Sequence, residues 1–172
     1  MRFINYSNRP LTAIPAFRQD GSDSRWSKPI GLWFSVVDEN GTDSWRSLCT
    51  FKGIDLIQQP HVTEIIFKKD ARLFRLFGEN DIDALDAKHR FSPGYPEWLK
   101  ENPDYTRSGI RWNLVAEEYD GVIAAPHCIA RHLEQHWYFT WECASGCIWN
   151  SIAVESLSGL ESQSEVITGA QT

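Results

Sequence analysis

No stretch of this 172-residue chain approaches the ~18 consecutive apolar residues of a membrane-spanning helix, so none is expected. The opening Met1-Arg2-Phe3-Ile4-Asn5-Tyr6 lacks the long apolar core of a secretory signal and reads as a strand at once. Dense clusters of lysine and arginine are missing, and the net charge is −6. Stable binding of nucleic acid through its phosphates is therefore not expected, although brief contact with RNA during a reaction is compatible with that balance. Phosphate-binding loops of the GxxxxGK[ST] or GxGxxG kind do not occur. Only Cys49, Cys128, Cys143 and Cys147 are available for disulfides, and a chain of this size folds without them. Reduced thiols in a cytoplasm are the expectation. There is no internal repeat and no interdomain linker.

What is present is a globular composition, 42% hydrophobic and 23% charged, with eight Trp and nine Phe. So many rings exceed the needs of an ordinary core, and some are candidates for lining a groove. Residues 1–155 read as one α+β domain and residues 156–172, rich in Ser, Gly, Glu and Gln, as a disordered tail.

Along the chain, Arg2–Ser7 reads as a strand ending at the turn Ser7-Asn8-Arg9-Pro10, and Leu11–Ile14 as a short helix or turn. Residues 18–29 form a polar surface loop. Ile30–Val37 is a near-continuous apolar run, the signature of a strand buried on both faces. After the turn Asp38-Glu39-Asn40-Gly41, Asp43 or Ser44 is placed to cap a helix through Cys49. Val62–Lys68 and Ala71–Phe77 read as strands around Lys69-Asp70. Short helices are expected over 81–91, 96–102, 110–119 and 128–135, and strands over 122–124, 136–142 and 146–154.

The block Lys28-Pro29-Ile30-Gly31-Leu32-Trp33-Phe34-Ser35 carries the first chemical signal. Gly31 permits close approach of a ligand or a backbone, and the strand sends Trp33 and Phe34 to opposite faces. One ring then packs in the core while the other faces a cleft, where it can stack on a flat heterocycle; both rings in the core is the competing expectation.

The run Gly31-Leu32-Trp33-Phe34-Ser35, followed ten residues after Ser35 by Trp45 in Trp45-Arg46-Ser47-Leu48-Cys49, resembles the second motif of the ADP-ribosyltransferase fold. In the poly(ADP-ribose) polymerase and diphtheria-toxin-like branches of that superfamily, two aromatics sandwich the nicotinamide of NAD; Trp33 and Trp45 match them. The resemblance places Asn5 where the family has a histidine that holds the NAD ribose. Tyr6 and Ser7 would contact the nicotinamide amide and ribose, and Ser35 would support them. The family's late-strand glutamate, which stabilises positive charge on the ribose as nicotinamide leaves, falls on Glu142 or on Ser145. Tyr119 and Asp120, with Asn150, would add contacts. A looser likeness links Lys28–Ser35, Tyr119-Asp120-Gly121 and Ser145–Trp149 to small bacterial and phage proteins. The resemblance implies split, mainly antiparallel sheets with short helices, NAD as substrate, an unknown protein or nucleic-acid acceptor, and a toxin, phage-effector or anti-defence role.

Two other groupings compete. Glu117 and Glu118 are candidates for acid–base work or, more simply, solvated acids at a helix end. His127, Cys128, His132, His136, Cys143 and Cys147 include zinc-type ligands, but their order matches no standard zinc module, so no metal is expected. A Cys–His nucleophilic pair, Cys143 or Cys147 with His136, has no local signature. A further class is a non-catalytic binding or inhibitor protein that presents an acidic, Trp-rich surface.

Overall fold

The computed structural model describes residues 1–19, 28–91 and 109–160. Nine strands and four α-helices follow one another as β1 (Arg2–Ser7), β2 (Leu32–Val37), α1 (Ser44–Lys52), β3 (His61–Phe67), β4 (Leu73–Leu76), α2 (Glu79–His89), β5 (Arg90–Phe91), β6 (Gly109–Ile110), α3 (Trp112–Glu118), β7 (Gly121–Ala124), α4 (Ile129–Glu134), β8 (Ser145–Ile148) and β9 (Val154–Leu160), with 3-10 turns at Leu56–Gln58 and Ser151–Ala153. Seven strands form one mixed sheet in the order β4-β7-β8-β2-β1-β3-β9, and β5 and β6 make a two-stranded ribbon. The class is α+β.

Period-2 alternation splits the core between the two faces of the sheet. Val122, Ala124 and Cys147 join Trp112, Trp137, Trp141 and Trp149 on the face covered by α2 and α3. Ile123, Ile148, Phe34 and Val36 join Ile65 and Ala153 on the other. Gly146 leaves room for the Phe34 ring: a Cβ there would stand 2.2 Å from Phe34 Cζ and 2.6 Å from the Val122 carbonyl oxygen.

The expected split into separate sheets is not found: seven strands form one continuous sheet, antiparallel except where β4 pairs with β7. The β4-β7-β8-β2 half meets the β1-β3-β9 half through the ladder Arg2↔Val37, Phe3↔Val36, Ile4↔Ser35 alone. That ladder makes the sheet continuous.

Several elements differ from expectation. Leu11–Ile14 is not helical; Pro15 disfavours the α conformation at Ile14, and Ile14 is buried as a core residue instead. β3 and β4 do not form a hairpin: the chain carries β4 across the molecule to pair in parallel with β7. Residues 136–142 make turns rather than a strand. Trp137, Tyr138 and Trp141 all enter the same core, a spacing that strand alternation does not allow. Residues 156–160, expected to begin the tail, belong to β9, which pairs with β3 from Phe67↔Val154 to Val62↔Leu160. The expected helix over 96–102 and the tail beyond residue 160 lie outside the described residues, as do 20–27 of the expected loop. Among the described residues no helix is long and apolar enough to cross a membrane.

Candidate functional site

The short seam between β1 and β2 creates a fork. Past Ile4, β1 stays with β3, from Ile4↔Glu64 to Ser7↔His61. Before Ser35, β2 stays with β8, from Leu32↔Ile148 to Ser35↔Ser145. Asn5 bridges the prongs where the ladder stops: its Nδ2 donates to the Trp33 carbonyl at 2.8 Å. Asn5 is 6% exposed, and its Oδ1 is buried without a hydrogen-bond partner.

Between the prongs lies a cleft of about 290 Å3, lined by Asn5 and Tyr6 from β1, Gly31, Trp33 and Ser35 from the β2 side, and Trp45 and Leu48 from α1. Lys28, Glu142, Cys143 and Ser145 complete its walls, with Gln59 and Thr140. The volume sits at the lower end of the ~300–1,000 Å3 usual for small-molecule sites.

Local sequence explains how the walls are set. Phe34 is 3% exposed in one core, while Trp33, on the opposite face, is half-buried at the cleft. Trp33 meets Trp141 edge-on, with centroids 4.9 Å apart at 64°, and the Lys28 ammonium stands 4.7 Å from the centre of its ring. Trp45 is brought in by the start of α1. Asp43 caps that helix, accepting from Arg46 N at 3.1 Å, and the same carboxylate accepts from Tyr6 Oη at 2.5 Å and Ser35 Oγ at 2.6 Å. Ser35 Oγ in turn accepts from Trp45 N at 2.9 Å. One acidic cap thus ties β1, β2 and α1 together around the cleft.

The electrostatics are mixed. Burial pushes the Lys28 ammonium below the usual lysine range, partly offset by Glu142. Burial, reinforced by the bond to Asp43, raises the Tyr6 hydroxyl well above its usual range. The Cys143 thiol is raised chiefly by burial, against the opposing influence of Ser44 and Lys28. Glu142 is exposed and ion-paired with Lys52 of α1. Ser145 Oγ donates to the Cys143 carbonyl at 3.0 Å.

Of the residues singled out from sequence, Asn5, Tyr6, Gly31, Trp33, Ser35, Trp45, Glu142 and Ser145 meet in this cleft. Gly31 lacks a side chain chiefly for the sake of the backbone: a Cβ there would lie 2.3 Å from the Ile148 carbonyl oxygen. Ser7, Tyr119 and Asp120 are not among the lining residues. Ser7 Oγ donates to the Arg9 carbonyl at 2.7 Å. Tyr119 packs edge-on against Phe74 and accepts from Trp149 Nε1 at 2.7 Å through its carbonyl. The Asp120 carboxylate is buried and accepts from Arg72 Nη2 and Asn150 Nδ2, each at 2.9 Å. The Arg72 and Asn150 bonds outweigh its burial and hold it below the usual carboxylate range. Tyr119 and Asp120 thus belong to the β4–β7–β8 framework.

Sequence reasoning missed Asp43 as the tie between Tyr6, Ser35 and α1, although its cap position was legible, and missed Lys28 as a lining residue although it opens the block that was read. Leu48 was quoted in the Trp45–Cys49 run and Cys143 as a metal or nucleophile candidate, neither as a cleft residue; Gln59 and Thr140 gave no signal. Among the described residues, no group of three or more His, Cys, Asp or Glu side chains is placed to hold a metal ion. His127 and His132 stack edge to face 5.1 Å apart, with His132 Nδ1 3.1 Å from the Trp141 carbonyl oxygen. Cys147 is buried and its Sγ lies 3.8 Å from the Pro29 carbonyl oxygen; all four cysteines are free thiols. Glu118 pairs with Lys88, and Glu117 is exposed.

No protein-family model, curated protein or solved structure matches the chain.

Proposed function

We propose that the chain is an ADP-ribosyltransferase-like protein that binds NAD at the β1–β2 fork and transfers ADP-ribose to an acceptor. The observation that carries this reading is the fork itself. It places one indole from β2, Trp33, and one from the first turn of α1, Trp45, in the wall of one cleft, beside Asn5 and Tyr6 of β1. The nicotinamide ring stacks on these indoles, as flat π-systems do. The glycosidic bond between ribose C1′ and the nicotinamide nitrogen breaks, its electron pair leaving with nicotinamide. A nucleophile of the acceptor, or water, then bonds to C1′ and loses its proton. Glu142, on the cleft wall, supplies the carboxylate that stabilises positive charge on the ribose, an electrostatic contribution of the kind that removes several kcal/mol from a barrier. The resemblance adds the toxin, effector or anti-defence setting.

A second reading, NAD binding without transfer, is favoured by the state of the two acidic-site candidates. Glu142 is engaged by Lys52, and Ser145 carries no carboxylate. A Trp-rich binding surface has less support: Trp112, Trp137, Trp141 and Trp149 are all buried.

Incubation with NAD, following nicotinamide release and the NAD-induced rise in melting temperature, tests both. Transfer predicts release that Glu142→Ala and Trp33→Ala each abolish. Binding alone predicts a thermal shift, lost in Trp33→Ala, without release. Neither release nor shift removes the NAD reading altogether.

A further inference from the structure

We infer that Lys28 is the phosphate-binding residue of the cleft, its ammonium leaving the face of Trp33 for the 5′-phosphate of the ligand when a cationic pyridinium ring arrives. The inference rests on the NAD reading above and names which residue takes the anionic part of that ligand.

The argument starts from charge pairing. Lys52 pairs with Glu142, Arg72 with Asp120, Lys88 with Glu118 and Arg131 with Asp83. Lys28, the one cation lining the cleft among the described residues, has no carboxylate partner among them; its ammonium rests on the Trp33 ring. A half-buried ammonium has lost part of its hydration, and a cation–π contact restores only some of it. Glu142, on the same wall, attracts Lys28 from a distance, but its carboxylate bonds directly to Lys52 and no carboxylate bonds to the Lys28 ammonium among the described residues.

On its C-terminal side the backbone next to Lys28 is held in place. Ile30 N donates to Gln19 Oε1 at 2.9 Å, and Gln19 Nε2 returns a bond to the Ile30 carbonyl. Pro29 is buried with its carbonyl against Cys147, and Gly31 is pressed against the Ile148 carbonyl. The four-carbon stem of Lys28 is long and flexible enough to swing from the Trp33 face.

Charge then decides what happens on binding. The pyridinium of NAD and the ammonium of Lys28 are like charges and compete for the face of Trp33 on which the ammonium rests. The ring's own ribose carries a 5′-phosphate, so the ligand that displaces the ammonium also brings the anion that receives it. The lowered proton affinity of Lys28 comes from its burial, which Glu142 partly opposes.

The test compares calorimetric affinities of nicotinamide, nicotinamide riboside and nicotinamide mononucleotide for the full chain, at low and raised salt. The wild type is expected to favour the mononucleotide over the riboside by about 10- to 100-fold, the range of one charge-assisted bond. Lys28→Met should bring that ratio near one, leave nicotinamide binding unchanged or tighter, and keep the wild-type circular dichroism; Lys28→Arg should retain the preference. An unchanged ratio in Lys28→Met overturns the inference while the NAD reading stands. If no nicotinamide compound binds, the NAD reading falls, and ADP-ribose and inorganic pyrophosphate decide on Lys28. Binding of either that Lys28→Met abolishes keeps Lys28 as an anion-binding residue; equal binding, or none, overturns that too. Should Lys28→Met fail to fold, Lys28→Gln and the salt dependence of the wild-type ratio carry the same decision.

Discussion

Replacing Asp43 should damage both stability and the cleft, because one carboxylate serves three elements. It accepts from Arg46 N at the start of α1, from Tyr6 Oη on β1 and from Ser35 Oγ on β2. In Asp43→Ala the lost cap costs about 1 kcal/mol. The two hydroxyl bonds to an ionised acceptor add about 1.5 kcal/mol each, at the low end of their range because the site is half-exposed. The sum is about 4 kcal/mol, or a fall in melting temperature of roughly 8 to 16 °C for a chain of this size. Asp43→Asn keeps an oxygen for Ser35 and the cap, and turns an amide toward Tyr6, whose hydroxyl can accept. That change should cost about 1 kcal/mol. Urea unfolding followed by tryptophan fluorescence measures both. A cost under about 0.5 kcal/mol for Asp43→Ala, or equal costs for the two variants, would refute the network as the tie between β1, β2 and α1.

Gly146→Ala should destabilise by about 2–3 kcal/mol, since its Cβ would stand 2.2 Å from the Phe34 ring; thermal melting checks this, and a near-neutral change would mean that the sheet yields there. In the native chain a small disulfide reagent should modify Cys143 and Cys128, which are partly exposed, while Cys49 and Cys147 react only on unfolding; peptide mapping identifies them. Stability should fall as pH drops through about 4, the unfolded value of an aspartate, because Asp120 is held below it in the folded chain. Asp120→Asn should lower the melting temperature at neutral pH and flatten that acid limb. Stability should also fall as pH rises above 10 toward 12, because burial pushes the Tyr138 hydroxyl up to about 12; Tyr138→Phe should shallow that alkaline limb.

The parts of this fold legible in sequence are those whose signal is local. β1, β2 and α1 stand close to their expected places because an apolar run, a turn and an acidic cap each act within a few residues. The cleft was legible to the same degree, since Trp33 and Trp45 sit on those elements. What escaped depends on distant partners. β9 reads Val-Glu-Ser-Leu-Ser-Gly-Leu, without strand alternation, and exists because β3 offers its backbone. The aromatic run at 136–142 looked like a strand because ring-rich segments usually are, yet three of its rings pack into one core. Tyr119 and Asp120 looked like site residues for being polar beside an apolar strand. Their partners, Phe74, Arg72 and Asn150, come from other elements, and no spacing in the sequence announces them.

The pairing of Glu142 with Lys52 looks at first like an argument against a catalytic carboxylate, but its energetics point elsewhere. Both side chains are substantially exposed, at 47% and 37%. Exposed pairs of this kind contribute about 0–1 kcal/mol, because solvent screens them and each long side chain loses freedom. Opening the pair therefore costs little beside the barrier reduction asked of a carboxylate at a developing cation. Lys52→Gln should accordingly leave stability within about 0.5 kcal/mol of wild type, measured by urea unfolding. If Glu142 acts in transfer, the same variant should hold or raise the rate of nicotinamide release, whereas Glu142→Gln should abolish release while NAD still binds. Release that survives Glu142→Gln undiminished would remove the carboxylate from the chemistry, leaving the fork as a binding site whose reactive group lies elsewhere.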